Sequence, residues 1–333
     1  TYGYLIPYHS FASSKVLAAL LHKHIKVRYA EKAFTAGGKQ YEAGTLIVLK
    51  TSNQDNWSAE TKAVCDAANI EAIPVASGYA EKGADFGSPD VKIISHAPKV
   101  ALLTGDNVGA LAAGEVWSFF EQQLNYPITQ LNYSFFNRID INKYDVIIAP
   151  EGAYKDLATK AVSDKLQAFV RKGGVFIAFE SAAQQLAANT EWGIKVKELP
   201  KADNVDVNNV AKYGESVTNF LRSSIPGAIY KVYMDNTHPI GYGTEGIYYD
   251  LKQDIVTYEP SAQSWNVGVI KKDSYVAGFA GIKAKAALQE GVVIGVKEMG
   301  AGKLVFMADD PIFRNFWEGG KLVLSNAIFF NGK

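Results

Sequence analysis

The chain has 333 residues, of which 48% are hydrophobic and 20% charged, and at roughly 100–200 residues per domain this length predicts two or three domains with a substantial core. Thirty-four basic residues balance thirty-four acidic ones, which argues against a surface that follows a nucleic-acid backbone. We therefore expect no nucleic-acid partner. No apolar stretch reaches the ~20 residues of a membrane helix, so we also expect no membrane span.

Residues 1–95 predict a small α/β unit, because strand-like apolar runs alternate with segments of helical period. Ser10 or Ser13 would cap its first helix. The predicted order is strand, helix, strand, strand, helix and strand, at residues 2–8, 10–24, 25–30, 39–49, 56–70 and 71–76. A stretch rich in Gly, Ser and Pro follows at residues 77–98, and we expect the domain boundary there.

Residues 96–333 predict a larger domain around a parallel sheet. Strands that are apolar on both faces alternate with helices, and this order implies right-handed crossovers in a doubly wound sheet. From about 191 to 300 the segments are mostly strand-like and joined by turns, which predicts an antiparallel excursion, partly a lid or a small sheet. A strand near residues 300–311 returns to the main sheet, and a helix at 319–330 closes the domain.

The bend "AFESAAQ" at residues 178–184 joins a buried strand to a helix. It resembles the G-x-C-x-G elbow of class I glutamine amidotransferases, where a strained turn exposes the nucleophilic cysteine. Glu180 stands where that cysteine would be, and a carboxylate cannot replace a thiolate in this chemistry. The family takes its His and Glu from a late H-x-E segment, but "VFMADDPIFRNFW" at residues 305–317 has no histidine. The resemblance implies an α/β fold, an amidotransferase- or flavodoxin-like three-layer sandwich, without a glutaminase triad.

A narrower resemblance is carried by "DFGSPDV" and by "DPIFRNFW" followed by "LSNAIFF". With the segments at residues 85–129, 234–243 and 300–331, they look like the C-terminal part of large secreted bacterial zinc carboxypeptidases. In that family a peptidase domain precedes an amidotransferase-like domain. The resemblance covers about residues 2–331 and implies a secreted or periplasmic location, an upstream peptidase domain as partner, and a peptide substrate.

Zinc carboxypeptidases hold their metal with H-x-x-E and a later His. None of the five histidines here has a glutamate three residues later, and H-E-x-x-H is also absent; they are His9, His22, His24, His96 and His238. We therefore expect no metal or cofactor in this chain and zinc only in the peptidase domain. The resemblance would place that domain before Thr1, where the chain starts directly in an apolar strand.

Five residues are candidates for a crevice at the C-terminal edge of the main sheet: Glu180, Ser181, His238, Asp310 and Arg314. Doubly wound sheets bind ligands at this edge, beside the amides of helix N-termini, and Arg314 could hold a carboxylate. Structural roles are the alternative: Glu180 or Ser181 as a helix cap, His238 as a turn residue, and an aspartate paired with Arg314.

The leading hypothesis is a non-catalytic accessory region of a zinc carboxypeptidase, which acts in domain packing or substrate binding. The rival is a stand-alone small-molecule binding protein or hydrolase that uses the crevice around Glu180, Asp310 and Arg314. A third interpretation, a sugar-processing enzyme, requires two carboxyl groups that face one pocket at ~5–9.5 Å.

Overall fold

The computed structural model describes residues 1–198 and 212–330. The N-terminal part of the chain forms short strands and two helices. In chain order these are β1 (Gly3–Ile6), α1 (Phe11–His22), β2 (Val27–Ala30), β3 (Phe34–Ala36), β4 (Lys39–Tyr41), β5 (Leu46–Leu49), α2 (Trp57–Ala67), β6 (Ile73–Val75) and β7 (Val91–Ile94).

Five of these strands form one sheet in the order β6-β1-β5-β2-β7, and every neighbouring pair in it is antiparallel. Helix α1 connects β1 to β2, which run in the same direction on either side of β5. Strands β3 and β4 pair as a separate hairpin. The edge strand β7 comes from the stretch predicted as a boundary, so part of that stretch belongs to the N-terminal sheet.

The rest of the described chain forms a larger sheet with its helices. In chain order these elements are β8 (Val100–Thr104), α3 (Ala110–Ser118), β9 (Ile128–Asn132), β10 (Val146–Ala149), α4 (Lys160–Arg171), β11 (Val175–Phe179), α5 (Ser181–Ala187), α6 (Ser216–Ser223), β12 (Gly227–Met234), β13 (Ile247–Lys252), β14 (Trp265–Phe279), α7 (Ile282–Leu288), β15 (Val292–Met299), β16 (Gly302–Met307) and α8 (Glu318–Phe329).

One half of this sheet is parallel, in the order β9-β8-β10-β11-β16. Strands β10 and β11 are buried along their whole length, which explains why their sequences are continuously apolar. The strand order reverses between β8 and β10, the position at which doubly wound sheets form a crevice at their C-terminal edge. The predicted α/β doubly wound fold is confirmed.

The excursion extends the main sheet instead of forming a lid or a sheet of its own. Strands β15, β14, β12 and β13 continue from β16, each antiparallel to its neighbour, and β13 is the outer edge. At the start of this excursion, where "GIKVKEL" at residues 193–199 predicts a strand, the described part forms a single bridge between Val196 and Tyr258. Residues 199–211 of the predicted 191–300 excursion lie outside the described residues.

The two sheets share a hydrophobic core. One cluster of buried side chains runs from Ile6 and Val48 of the N-terminal sheet to Ile147 and Val305 of the main sheet. Helices α1 and α8 pack against each other between the sheets, and the rings of Tyr8 and Phe330 meet edge to face at 5.0 Å. The N-terminal unit is thus fixed against the main sheet by apolar contact.

Candidate functional site

The bend between β11 and α5 has the backbone of a strained strand-to-helix elbow. Glu180 has φ 52° and ψ −130°, a conformation with positive φ that residues other than glycine rarely adopt. Its N–H donates to the carbonyl of Met307 at 3.0 Å, and its carbonyl accepts from the N–H of Gln184 at 3.1 Å. The main chain therefore places the Glu180 side chain at the C-terminal edge of the sheet, as a nucleophile elbow does.

The Glu180 carboxyl group is half-buried among other acidic groups. Burial is the main reason that its pKa rises to about 7. The carboxylates of Glu151, Asp254 and Glu115 add to the rise, and the charge of Lys252 opposes it. A carboxyl group with a pKa near neutrality can accept and release a proton at physiological pH.

Asp310 lies three residues after the end of β16 and is buried. Burial raises its pKa to about 9, and a hydrogen bond with the carboxyl of Glu115 contributes to the rise. The N–H of Ile312 donates to Asp310 Oδ1 at 2.9 Å and favours the charged form, whereas the neighbouring Glu180 disfavours it. At neutral pH Asp310 is therefore protonated and donates to Glu115. Glu115, Glu180 and Asp310 are called the elbow carboxyl cluster below.

A buried lysine lies beside this cluster. Lys252 Nζ donates to Asp309 Oδ2 at 2.8 Å and to the carbonyl of Val256 at 2.7 Å. Burial alone would lower the pKa of Lys252, but the carboxylates around it, first that of Asp309, outweigh burial and raise it. Burial also raises the pKa of Asp309 and of its neighbour Asp250. The two aspartates thus keep a proton to higher pH than exposed ones, beside a charged lysine.

Ser181 closes the elbow and does not cap α5. Its hydroxyl donates to the carbonyl of Gly152 and accepts from the N–H of the same residue, both at 2.9 Å. Neither Glu180 nor Ser181 makes a side-chain capping bond at the start of α5. Ser181 therefore joins the elbow to the loop after β10.

His238 lies apart from the elbow carboxyl cluster. It is buried in the turn after β12, where its Nδ1 accepts from the N–H of Ile240 at 3.2 Å. Burial lowers its pKa to about 4, Lys303 lowers it further, and Asp235 opposes this. None of these groups is among those that shift the pKa of Glu180, so His238 is a neutral turn residue and not a base for the elbow.

Arg314 is exposed on the segment between β16 and α8. Its backbone is left-handed, with φ 49°, and its guanidinium lies 5.1 Å from the ring centroid of Phe313. Among the described residues no carboxylate pairs with Arg314, and Asp309 pairs with Lys252 instead. The structure thus places Asp310 close to Glu180 and Ser181 next to it at the elbow. The contacts of Arg314 and His238 described above are with other groups.

Sequence reasoning missed Glu115, Asp250 and Lys252 as residues of the site. Asp250 and Lys252 are two residues apart on β13, and both face inward with Tyr248. The available signal was the alternation in "YYDLK", but alternation does not tell which face is buried until the neighbours of the strand are known.

Two features are absent from residues 1–198 and 212–330, which the structure describes. No group of three or more His, Cys, Asp or Glu side chains has the geometry of a metal site. None of the helices is long and apolar enough to span a membrane.

No family model and no curated protein matches the chain. Among solved structures it is similar to a ThuA-like protein from Parabacteroides merdae ATCC 43184, with 12% identity, a TM-score of 0.46, and coverage of 70% of this chain and 89% of that one. It is also similar to a glutamine amidotransferase from Thermotoga maritima, with 11% identity, a TM-score of 0.39, and coverage of 64% of this chain and 75% of that one. A β-galactosidase from Bacillus circulans sp. alkalophilus is similar with 13% identity, a TM-score of 0.40, and coverage of 70% of this chain and 30% of that one. These values are too low to inform on activity; the structural neighbours are ThuA-like and class I amidotransferase-like folds.

Proposed function

We propose that the chain is a non-catalytic accessory region of a secreted or periplasmic zinc carboxypeptidase, acting in domain packing or substrate binding. The observation that carries the non-catalytic part is Glu180, because the elbow keeps its strained backbone but has a carboxyl group where glutaminase chemistry needs a thiolate. Cys65 is no substitute, since burial raises the pKa of its thiol to about 11, with a further contribution from Asp66.

The carboxypeptidase part of the proposal rests on the resemblance of residues 85–129, 234–243 and 300–331. The first and third of these segments pack together in the fold: Asn315 Nδ2 donates to the carbonyl of Glu115 at 3.0 Å, and Gln123 Nε2 donates to the carbonyl of Asn315 at 3.1 Å. Two of the three segments that carry the resemblance are therefore in contact in the folded chain. Zinc and peptide hydrolysis would belong to the peptidase domain.

The test compares this chain with the same chain joined to its peptidase domain. Ammonia release from glutamine and release of the last residue from a panel of peptides are measured for both, with and without zinc. We expect no glutaminase activity in either and zinc-dependent peptide hydrolysis only in the longer protein. Glu180→Cys should not create glutaminase activity, because no histidine lies beside the elbow. Zinc-dependent cleavage by this chain alone would refute the proposal.

A second candidate, a stand-alone binding protein or hydrolase, is favoured by the elbow carboxyl cluster itself. Glu180 titrates near neutral pH while Asp310 stays protonated, and two carboxyl groups in different protonation states can act as a base and an acid. A screen of ester and glycoside substrates tests it. Activity that is lost in Glu180→Gln and kept in the exposed control Ser216→Ala would support this candidate over the accessory role.

A further inference from the structure

Two neighbouring grooves lie between the N-terminal unit and the main domain. The first, about 730 Å³, lies where α1, β13 and the start of α8 meet. The second, about 950 Å³, lies between the loop after β2 and the turn before β13. His9 and Gly243 line both, so the grooves adjoin at these two residues, and we call the two grooves together the interunit cleft. Each volume is in the range of ligand pockets, so the cleft has room for several residues of a peptide.

The first groove combines aromatic walls with an unpaired positive charge. Phe316 is 57% exposed and Tyr249 is 51% exposed, and both line it with Trp317. Lys15 also lines it and has no carboxylate partner among the described residues, whereas the charge of Glu318 is matched by Lys321. This end of the cleft suits a negatively charged group next to an apolar side chain.

The second groove has the opposite charge. Glu42 and Glu245 are exposed there and have no cationic partner in the part of the chain that is described. The other charged residues of this groove are neutralised, because Glu31 pairs with Lys92 at 3.5 Å and Lys32 pairs with a surface aspartate. This end of the cleft therefore suits a positively charged group.

Beside the first groove, β13 is the edge strand of the main sheet. The indole N–H of Trp317 donates to the carbonyl of Tyr249 at 2.7 Å, which shows that the backbone of Tyr249 points away from β12. In an antiparallel strand every second residue has this direction, so the N–H groups of Tyr249 and Leu251 also face outward. An extended chain can add to such an edge by main-chain hydrogen bonds.

We propose that the interunit cleft binds an extended peptide by its C-terminal end. The terminal carboxylate lies at Lys15 and the last side chain lies against Phe316 and Trp317. A basic group further along the peptide lies at Glu42 and Glu245. The inference rests on the proposed accessory function, for which it names the site of substrate binding.

The test uses this chain and a short synthetic peptide with a lysine near its amino end, a phenylalanine at its free C-terminus and a fluorophore on a central side chain. Binding is measured by fluorescence anisotropy. We expect Lys15→Glu, or a C-terminal amide on the peptide, to weaken binding about tenfold, which corresponds to about 1.4 kcal/mol. Lys62→Glu, an exposed lysine of α2 outside the cleft, is the matched control and should have no effect.

The acidic end is tested separately with the double variant Glu42→Gln and Glu245→Gln. This double variant should bind the lysine peptide about tenfold more weakly and should bind a peptide with glutamine in place of lysine as the wild-type chain does. Glu71→Gln, an exposed glutamate outside the cleft, is the control and should change the binding of neither peptide. Equal binding of the free acid and the amide, or no measurable binding, would overturn the inference. The accessory proposal would survive a failure of the cleft to bind peptides, provided that the longer protein still hydrolyses them. The accessory proposal itself would be refuted by zinc-dependent cleavage by this chain alone.

Discussion

Glu180 combines a strained backbone with a desolvated carboxyl group. A residue other than glycine in such a conformation costs about 1–3 kcal/mol. We expect Glu180→Gly to be more stable than Glu180→Ala by about 1–2 kcal/mol, because both variants remove the carboxyl group but only glycine relieves the backbone strain. This difference already allows for the entropy that glycine adds to the unfolded chain. Denaturation in urea at one pH measures the difference. Equal stability of the two variants would show that the elbow is not strained.

Asp310 makes the stability of the protein depend on pH. Its pKa of about 9 in the folded state is above its usual value of 3.8, so between these pH values the folded chain binds a proton that the unfolded chain has lost. Stability should therefore fall as pH rises towards 9, by at most about 1.4 kcal/mol per pH unit from this group. Unfolding in urea at several pH values from 7 to 9 tests this, and Asp310→Asn should flatten the slope. A slope unchanged in Asp310→Asn would assign the effect to another group.

At the scale of elements, the first turn of α8 packs closely against Pro311, the residue after Asp310. Gly320 allows this approach, because a Cβ at Gly320 would lie 1.5 Å from the carbonyl oxygen of Pro311. At Gly319 a Cβ would lie 3.5 Å from the ring of Tyr248, an ordinary contact. We expect Gly320→Ala to destabilise the protein by about 3 kcal/mol, and Gly319→Ala to be neutral or stabilising by up to about 1 kcal/mol.

The two alanine variants are compared by urea denaturation and by the protection of the Ile312 amide from hydrogen exchange. Gly320→Ala should lower that protection, since the Ile312 N–H is held by Asp310. If both variants behave alike, the close packing of α8 on Pro311 does not hold the segment between β16 and α8 in place.

For the whole molecule, the sequence predicted what local pattern determines. Strands buried on both faces must be apolar throughout, so "VIIA" and "VFIAF" indicated the parallel half of the sheet. Which strands pair is not local, and the antiparallel strands could not be assigned to the main sheet. At the site, the bend itself indicated Glu180, whereas Lys252 reaches it from a strand more than seventy residues later. Spacing in the sequence does not give the direction of a side chain, so it could not show that His238 accepts from the Ile240 N–H and that Arg314 lies over the Phe313 ring.

The N-terminal unit and the main domain should unfold together, because a buried amide joins three parts of the chain. Asn326 of α8 accepts at Oδ1 from the hydroxyl of Tyr8 at 2.8 Å, and its Nδ2 donates to the carbonyls of Ile240 and Tyr242 at 2.9 and 2.8 Å. Asn326→Ala leaves the carbonyls of Ile240 and Tyr242 without this donor and should cost about 2–4 kcal/mol. Tyr8→Phe removes the bonds of the Tyr8 hydroxyl to Asn326 and Ser14 and should cost about 1–2 kcal/mol.

Differential scanning calorimetry distinguishes a shared core from two independent units. Because the apolar cluster is continuous between the sheets, we expect one transition in the wild-type chain, and we expect Asn326→Ala to move that whole transition to lower temperature. Two transitions, of which Asn326→Ala shifts only one, would mean that the units are stable independently. In that case the interunit cleft could open and close while both units stay folded, and its affinity for a peptide would depend on how often it is closed.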